Sequence, residues 1–168
     1  METREAIRSR RSIRRFEERE VPEEFLREIL QMGIWAPSGR NNQPWRFVII
    51  RDRETKEKLS HLTHYGDILR GAPLLIGVFL DHKSSYDYVK DVQSCGACIQ
   101  NMLLSAHDLG LGAVWIGEIL KSKEKVREVL GLNEQYELMA IICLGFPKEK
   151  PEEGKRRPLE HFILKVIQ

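Results

Sequence analysis

Seven residues, Leu74-Leu75-Ile76-Gly77-Val78-Phe79-Leu80, form an almost unbroken apolar run directly after Pro73. A strand with one wet face alternates apolar and polar residues, so a run without alternation fits a strand buried on both faces. Leu138-Met139-Ala140-Ile141-Ile142-Cys143-Leu144 repeats the pattern. Two such strands require a sheet with layers packed above and below it. At 168 residues and 42% hydrophobic content, the chain has room for one domain with a core of that kind.

Helical spacing supplies the covering layers. Residues 6 to 10 read as a short helix. Residues 22 to about 36 read as a second, with Phe25, Leu26, Ile29, Leu30 and Met32 in phase and Pro22 in its first turn. Arg46-Phe47-Val48-Ile49-Ile50-Arg51 reads as a strand, and Asp52 caps a helix running to about Leu62. Between residues 88 and 109, Val89, Val92, Ala97, Ile99, Met102, Leu103, Ala106 and Leu109 keep a helical period that ends at Gly110 and Gly112. Its length makes this the central helix. Ala113-Val114-Trp115-Ile116 reads as a strand, and residues 123–130 as a helix closed by Gly131. The expected class is α+β, a mixed sheet packed by helices.

After Phe146 the chain turns polar, Pro147-Lys148-Glu149-Lys150-Pro151-Glu152-Glu153-Gly154, and then ends apolar at Phe162-Ile163-Leu164-Lys165-Val166-Ile167. The first part reads as a linker arm. An apolar, β-prone tail is expected to add to a sheet edge, either its own or that of a second copy.

Charge excludes some partners. Lys and Arg total 27 against 25 Asp and Glu, and a net charge of +2 gives no long-range field calling for nucleic acid or an acidic membrane. The charged start, Met1-Glu2-Thr3-Arg4-Glu5, is not followed by an apolar stretch, so no signal peptide or membrane span is expected. Three cysteines cannot form a disulfide framework, which suits a reducing, cytoplasmic setting. Cys95-Gly96-Ala97-Cys98 falls inside the central helix and reads as packing, not as a redox pair or half of a zinc site. The five histidines show no ligand spacing, and no metal is expected.

Two stretches remain that core and turns do not absorb. Arg10-Arg11-Ser12-Ile13-Arg14-Arg15-Phe16 offers several guanidinium groups and a hydroxyl. Alone it reads as a solvated helix end or a basic patch. Ala36-Pro37-Ser38-Gly39-Arg40-Asn41-Asn42-Gln43-Pro44-Trp45 offers amides, small residues and a proline turn, and alone it could be a turn leading to a buried Trp45. There is no Walker loop and no dinucleotide glycine motif, since Gly110-Leu111-Gly112 sits where a helix ends. A phosphate would therefore be held mainly by side chains, from residues 10–15 and from Lys155-Arg156-Arg157. Together the stretches suit a phosphorylated, planar, heteroatom-rich ligand.

In order and spacing, these two motifs resemble those of the nitroreductase family of flavoenzymes. The resemblance extends through residues 91–111, Trp115-Ile116-Gly117, Gly145-Phe146-Pro147 and Arg156-Arg157-Pro158-Leu159, and so covers nearly the whole chain. It implies a largely antiparallel mixed sheet and an intertwined homodimer, with FMN at each of two subunit interfaces and residues 147–168 exchanged with the partner. Arg10, Arg11 and Ser12, with Arg156 or Arg157, would hold the phosphate and ribityl chain. Arg14 would lie near the N1 and C2 carbonyl edge. Trp115, Ile116 and Gly117 would run along the ring, with the Gly117 amide the choice for N5. Pro37, Ser38 and Gly39 would cover the other edge from the partner subunit, and Asn41 and Gln43 would bond the polar rim or fix that loop.

The implied activity is ping-pong: NADH or NADPH reduces the flavin, then a nitroaromatic, quinone or similar conjugated acceptor is reduced, with no acid, base or nucleophile side chain needed. A reductive dehalogenase, a flavin-cleaving enzyme and a non-catalytic FMN-binding protein are the alternatives. Longer family members carry a helical excursion over the site, whereas here residues 81–91 form only a short connection. Tyr65, Tyr86, Tyr88 or Phe146 is left to line the opening.

Overall fold

The structure is a computed structural model describing residues 1–168. Its helices are α1 (Thr3–Ser9), α2 (Glu23–Ile34), α3 (Arg53–Ser60), α4 (Gly66–Gly71), α5 (Tyr88–Asp108) and α6 (Lys123–Val129). Its strands are β1 (Trp45–Ile50), β2 (Leu74–Asp81), β3 (Gly112–Ile116) and β4 (Tyr136–Gly145), in the spatial order β1-β2-β4-β3. All three pairings are antiparallel, and the one parallel contact is a single bridge between Ser12 and Ala113.

The two unbroken apolar runs became the two central strands. Every residue of β2 is buried, and its side chains divide between the faces. Leu74, Ile76, Val78 and Leu80 join α2 and α5 in one core. Leu75 and Phe79 join Leu59, Leu69, Val126 and the N-terminal Ile13 and Phe16 in the other. Each buried Leu or Ile contributes roughly 1.5–3 kcal/mol, so a polar residue between Leu74 and Leu80 would be costly whichever way it faced.

The helices start and stop where local chemistry allows. Asp52 Oδ2 accepts the Thr55 N–H at 2.7 Å at the start of α3. Asp87 does the same for Lys90 at α5. Gly110 and Gly131 take φ of 76° and 66° just after α5 and α6, a conformation that side chains resist. Pro22 stands one position before α2, as its N-cap, instead of in the first turn.

Two further features differ from the sequence expectation. The short α4 was not anticipated between the α3 helix and β2. The tail forms no strand: a 3₁₀ turn spans Leu159–Phe162, the residues beyond it have no regular structure, and Leu164 is fully exposed. The chain's own sheet edge is therefore not its docking place. Residues 12 and 13 already occupy part of the outer edge of β3, while the outer edge of β1 pairs with nothing in this chain.

Candidate flavin site

After α1 the chain runs along the edge of β3. The Ile13 N–H donates to Ala113 O at 3.0 Å, the Glu17 N–H to Phe146 O at 2.9 Å, and the Lys148 N–H to Arg15 O at 3.0 Å. Ile13 and Phe16 are buried, which anchors the segment and leaves Ser12, Arg14 and Arg15 outside. The result is a cleft of about 750 Å³ lined by Arg10, Arg11, Ser12, Arg14, Arg15 and Arg156, with residues 149–152 on its far wall.

This cleft concentrates positive charge with little to balance it. Arg15 pairs with Glu149 at 3.3 Å, but Arg10, Arg14 and Arg156 make no ion pair. Partial burial, then the charges of Arg11 and Arg156, lower the Arg10 pKa below its ordinary value. Arg11 directs Nη1 to the carbonyls of Arg8 and Arg10, at 2.6 and 2.7 Å, and keeps a buried Nε without a partner. An anion in the cleft would offset the mutual repulsion of Arg10, Arg11 and Arg156. Arg157 faces elsewhere, with Nη1 at 2.7 Å from His161 Nε2, so of the two tail arginines Arg156 joins the cluster.

The Ser12–Ala113 bridge sets the arginine segment beside β3, whose last residues are Trp115 and Ile116. Ile116 is buried and Trp115 is 40% exposed. Gly117 follows with an unremarkable φ of −90°, and a Cβ there would meet only the Trp115 indole, at 3.7 Å. Nothing in the chain's own packing crowds that backbone, which is open to a close approach. Glu118 ties this strand end down. It accepts from Lys121, from the Thr63 hydroxyl at 2.5 Å and from the His64 N–H at 3.1 Å, and these bonds hold its carboxyl down to about 2.

The second motif is a strained loop. Arg40, Asn41 and Gln43 have φ of 55°, 55° and 47°, in the left-handed region that only Asn among them tolerates well. Each such residue costs of order 1–3 kcal/mol and persists only where its surroundings enforce it. Here Ser38 Oγ accepts the Gln43 N–H at 3.1 Å, and Gln43 Nε2 donates to Asn41 O at 3.2 Å. Asn42 Nδ2 reaches the buried Asp91 at 2.7 Å and Ser84 O at 2.9 Å. Gln43 thus braces the loop internally.

The sequence motifs do not all meet in one cavity of this chain. Pro37, Ser38 and Gly39 line a cavity of about 320 Å³ with Tyr86, Lys90 and Gln93. Trp115 lines a different one, of about 370 Å³, with Tyr88, Val92, Gly96 and Leu120. The arginine cleft is a third. Asn42, Asp91 and Tyr86 were not singled out as site residues by sequence reasoning, apart from Tyr86 as one of four candidates for the opening.

Cys95, Cys98 and Cys143 are free and buried, and burial pushes the first two thiols up to about 12. No three His, Cys, Asp or Glu side chains gather as a metal-binding set, and no helix is long and apolar enough to cross a membrane.

Residues 7–64 and 60–146 match the sequence profile of the Nitroreductase family. The chain belongs to that family of oxidoreductases. It is 40% identical over 155 residues to a provisionally named NADH dehydrogenase/NAD(P)H nitroreductase of Methanothermobacter thermautotrophicus, covering 90% of this chain and 80% of the relative. Among solved structures, a provisionally named nitroreductase from Desulfovibrio desulfuricans in complex with FMN superposes with a TM-score of 0.93 at 46% identity, covering 98% of this chain and 96% of that one. The NADPH:FMN oxidoreductase of Vibrio harveyi complexed with NAD+ superposes with a TM-score of 0.91 at 28% identity, covering 99% and 77%.

Proposed function

We propose that this protein is an FMN-dependent NAD(P)H oxidoreductase that reduces nitroaromatic, quinone or similar conjugated acceptors by a ping-pong mechanism. The observation that carries the reading is the arginine cleft: clustered guanidinium groups, one with a depressed pKa and one with a buried, unpartnered Nε, fit a phosphate monoester. When bound, the flavin supplies the redox chemistry, taking a hydride from NADH or NADPH and passing electrons to the acceptor in a second half-reaction.

The chain's own residues bind and polarise. Arg10, Arg11, Ser12 and Arg156 hold the phosphate end. Arg14, exposed and without an acidic partner, is the fixed cation beside the ring edge, where it favours negative charge on the reduced cofactor. The open backbone at Gly117 supplies an N–H to the ring, and Trp115 and Ile116 flank it. Pro37, Ser38 and Gly39, with Asn41 and Gln43 in the same loop, cover the remaining edge from a second subunit, which agrees with their separation from the arginine cleft within one protomer.

A homodimer follows from the same reading. The unpaired outer edge of β1 and the exposed Phe162, Ile163, Val166 and Ile167 are complementary, so the outer part of the 147–168 arm, beyond Arg156, is assigned to exchange between subunits, while its first part stays against Arg11 and Arg15 of its own chain. Trp35, 75% exposed at the end of α2, adds to the surface that such a dimer would cover.

The test is the visible spectrum of protein supplied with FMN, before and after anaerobic NADPH or NADH. Bound flavin that bleaches promptly supports the oxidoreductase. Bound flavin that neither donor bleaches favours a binding protein, and no bound flavin refutes the reading.

A further inference from the structure

Asp91 is fully buried near the start of α5, and its two oxygens hold two separate segments of chain. Oδ1 accepts from Asn42 Nδ2 at 2.7 Å. Oδ2 accepts from the Ser85 hydroxyl at 2.7 Å, the Tyr86 N–H at 2.9 Å and the Asp87 N–H at 3.2 Å. The first bond fixes the strained loop, and the other three fix the turn that carries Tyr86. Asn42 spends its other amide bond on Ser84 O and leaves its own Oδ1 buried without a partner. An amide that accepts that penalty is oriented by Asp91 and Ser84.

Tyr86 leans on the loop it is tied to. A Cβ on Gly39 would overlap its hydroxyl, so glycine is what lets the ring lie there. The Arg40 guanidinium stands 4.9 Å from the ring centroid and Lys90 Nζ 5.3 Å, which holds the ring from two more directions. Its exposed part borders the cavity shared with Pro37, Ser38 and Gly39. The other aromatic candidates are elsewhere: Tyr88 lines the Trp115 cavity, Tyr65 begins α4, and Phe146 lies under the Arg19 guanidinium at 3.8 Å.

We propose that Asp91 is a positioning residue that locks the 38–43 loop and Tyr86 into one wall, and that Tyr86 is the ring a planar, conjugated acceptor meets. The inference rests on the flavin reading, because Pro37, Ser38 and Gly39 are the residues which that reading sets against the cofactor. The short connection from β2 to α5 then replaces a mobile lid with a braced turn, so acceptor recognition is built in before binding.

The probe is isophthalamide, a planar diamide with no nitro or quinone group, titrated into FMN-loaded protein and followed by the change in flavin absorption. Wild-type protein is expected to give a saturable change. Tyr86→Leu, and Asn42→Ala, which leaves the Asp91 bonds to residues 85–87 in place, should each raise the probe Kd about tenfold. FMN affinity, read by fluorescence quenching, should stay within roughly threefold in Tyr86→Leu and fall along with probe affinity in Asn42→Ala, whose loop also covers the flavin. The paired exchange Asn42→Asp with Asp91→Asn again sets a donor opposite an acceptor between the two positions but leaves Ser84 O without its donor, so it should recover only part of the lost probe affinity. Unchanged probe affinity in Tyr86→Leu or in Asn42→Ala, loss of FMN affinity in parallel with probe affinity in Tyr86→Leu, or a loaded wild type that ignores the probe would each overturn the proposal. Failure of the wild type to bind FMN would instead remove the flavin reading, and this inference with it.

Discussion

Arg11 and Gly154 fit against each other: a Cβ added to Gly154 would stand 2.5 Å from Arg11 Nε and 2.6 Å from Cζ. The polar arm therefore closes over the guanidinium that the phosphate reading uses. Gly154→Ala would displace a flexible side-chain end and no backbone, so stability should change by only about 0.5 kcal/mol. FMN affinity should nonetheless fall severalfold, because the guanidinium is moved. Calorimetric melting and fluorescence titration of the same variant separate the two effects.

Acid sensitivity should trace partly to Asp91. Burial opposes its ionisation, but the bonds from Ser85, Asn42 and the Asp87 and Tyr86 amides outweigh it and hold the pKa below the ordinary carboxylate value. A depressed folded pKa contributes stability that is present above the unfolded value, near pH 4, and is lost as pH falls through the folded value. Asp91→Asn should cost about 2 kcal/mol near neutrality and progressively less in acid. Denaturant melts across that range would show the two curves converging, and parallel curves would refute the assignment.

The cysteines should be silent in the native state. Cys95 and Cys98 are fully buried, with thiols pushed up to about 12, and Cys143 is buried in β4. A thiol reagent at neutral pH should label none of them until denaturant is added. Rapid native labelling of Cys95 or Cys98 would reopen a redox role.

Leu75 is fully buried on the face of β2 that meets Leu59, Leu69 and Val126. Leu75→Ala should destabilise the fold by about 2–5 kcal/mol, a transfer loss plus a cavity. Equilibrium unfolding in urea measures it.

What could be read before the structure was what residue type alone specifies. The apolar runs at β2 and β4 and the long period of α5 leave few alternatives, whereas the arginine stretch points to an anion only together with the second motif. Helix α4 was missed because Gly66–Gly71 is short, begins and ends in glycine, and carries only Ile68 and Leu69 as apolar markers. The tail reads as a strand because Ile163, Val166 and Ile167 favour one, but a strand needs a paired edge, and the tail pairs with none in this chain. Arg156 and Arg157 are adjacent and alike, and only the arm's path separates them. The Asn42–Asp91 junction joins residues 49 apart. Asn42 looks like one more turn residue until Asp91 is seen beneath it.

The most direct measurement is the affinity of this protein for FMN against riboflavin, which has the same ring but no phosphate. If the arginine cleft holds the phosphate, FMN should bind at least a hundredfold more tightly, roughly the 3 kcal/mol expected of paired charge-assisted bonds. Arg10→Gln should erase most of that difference while leaving riboflavin binding unchanged. Equal affinity for the two flavins, or a preference for FMN that survives the loss of Arg10, would contradict the site assigned here.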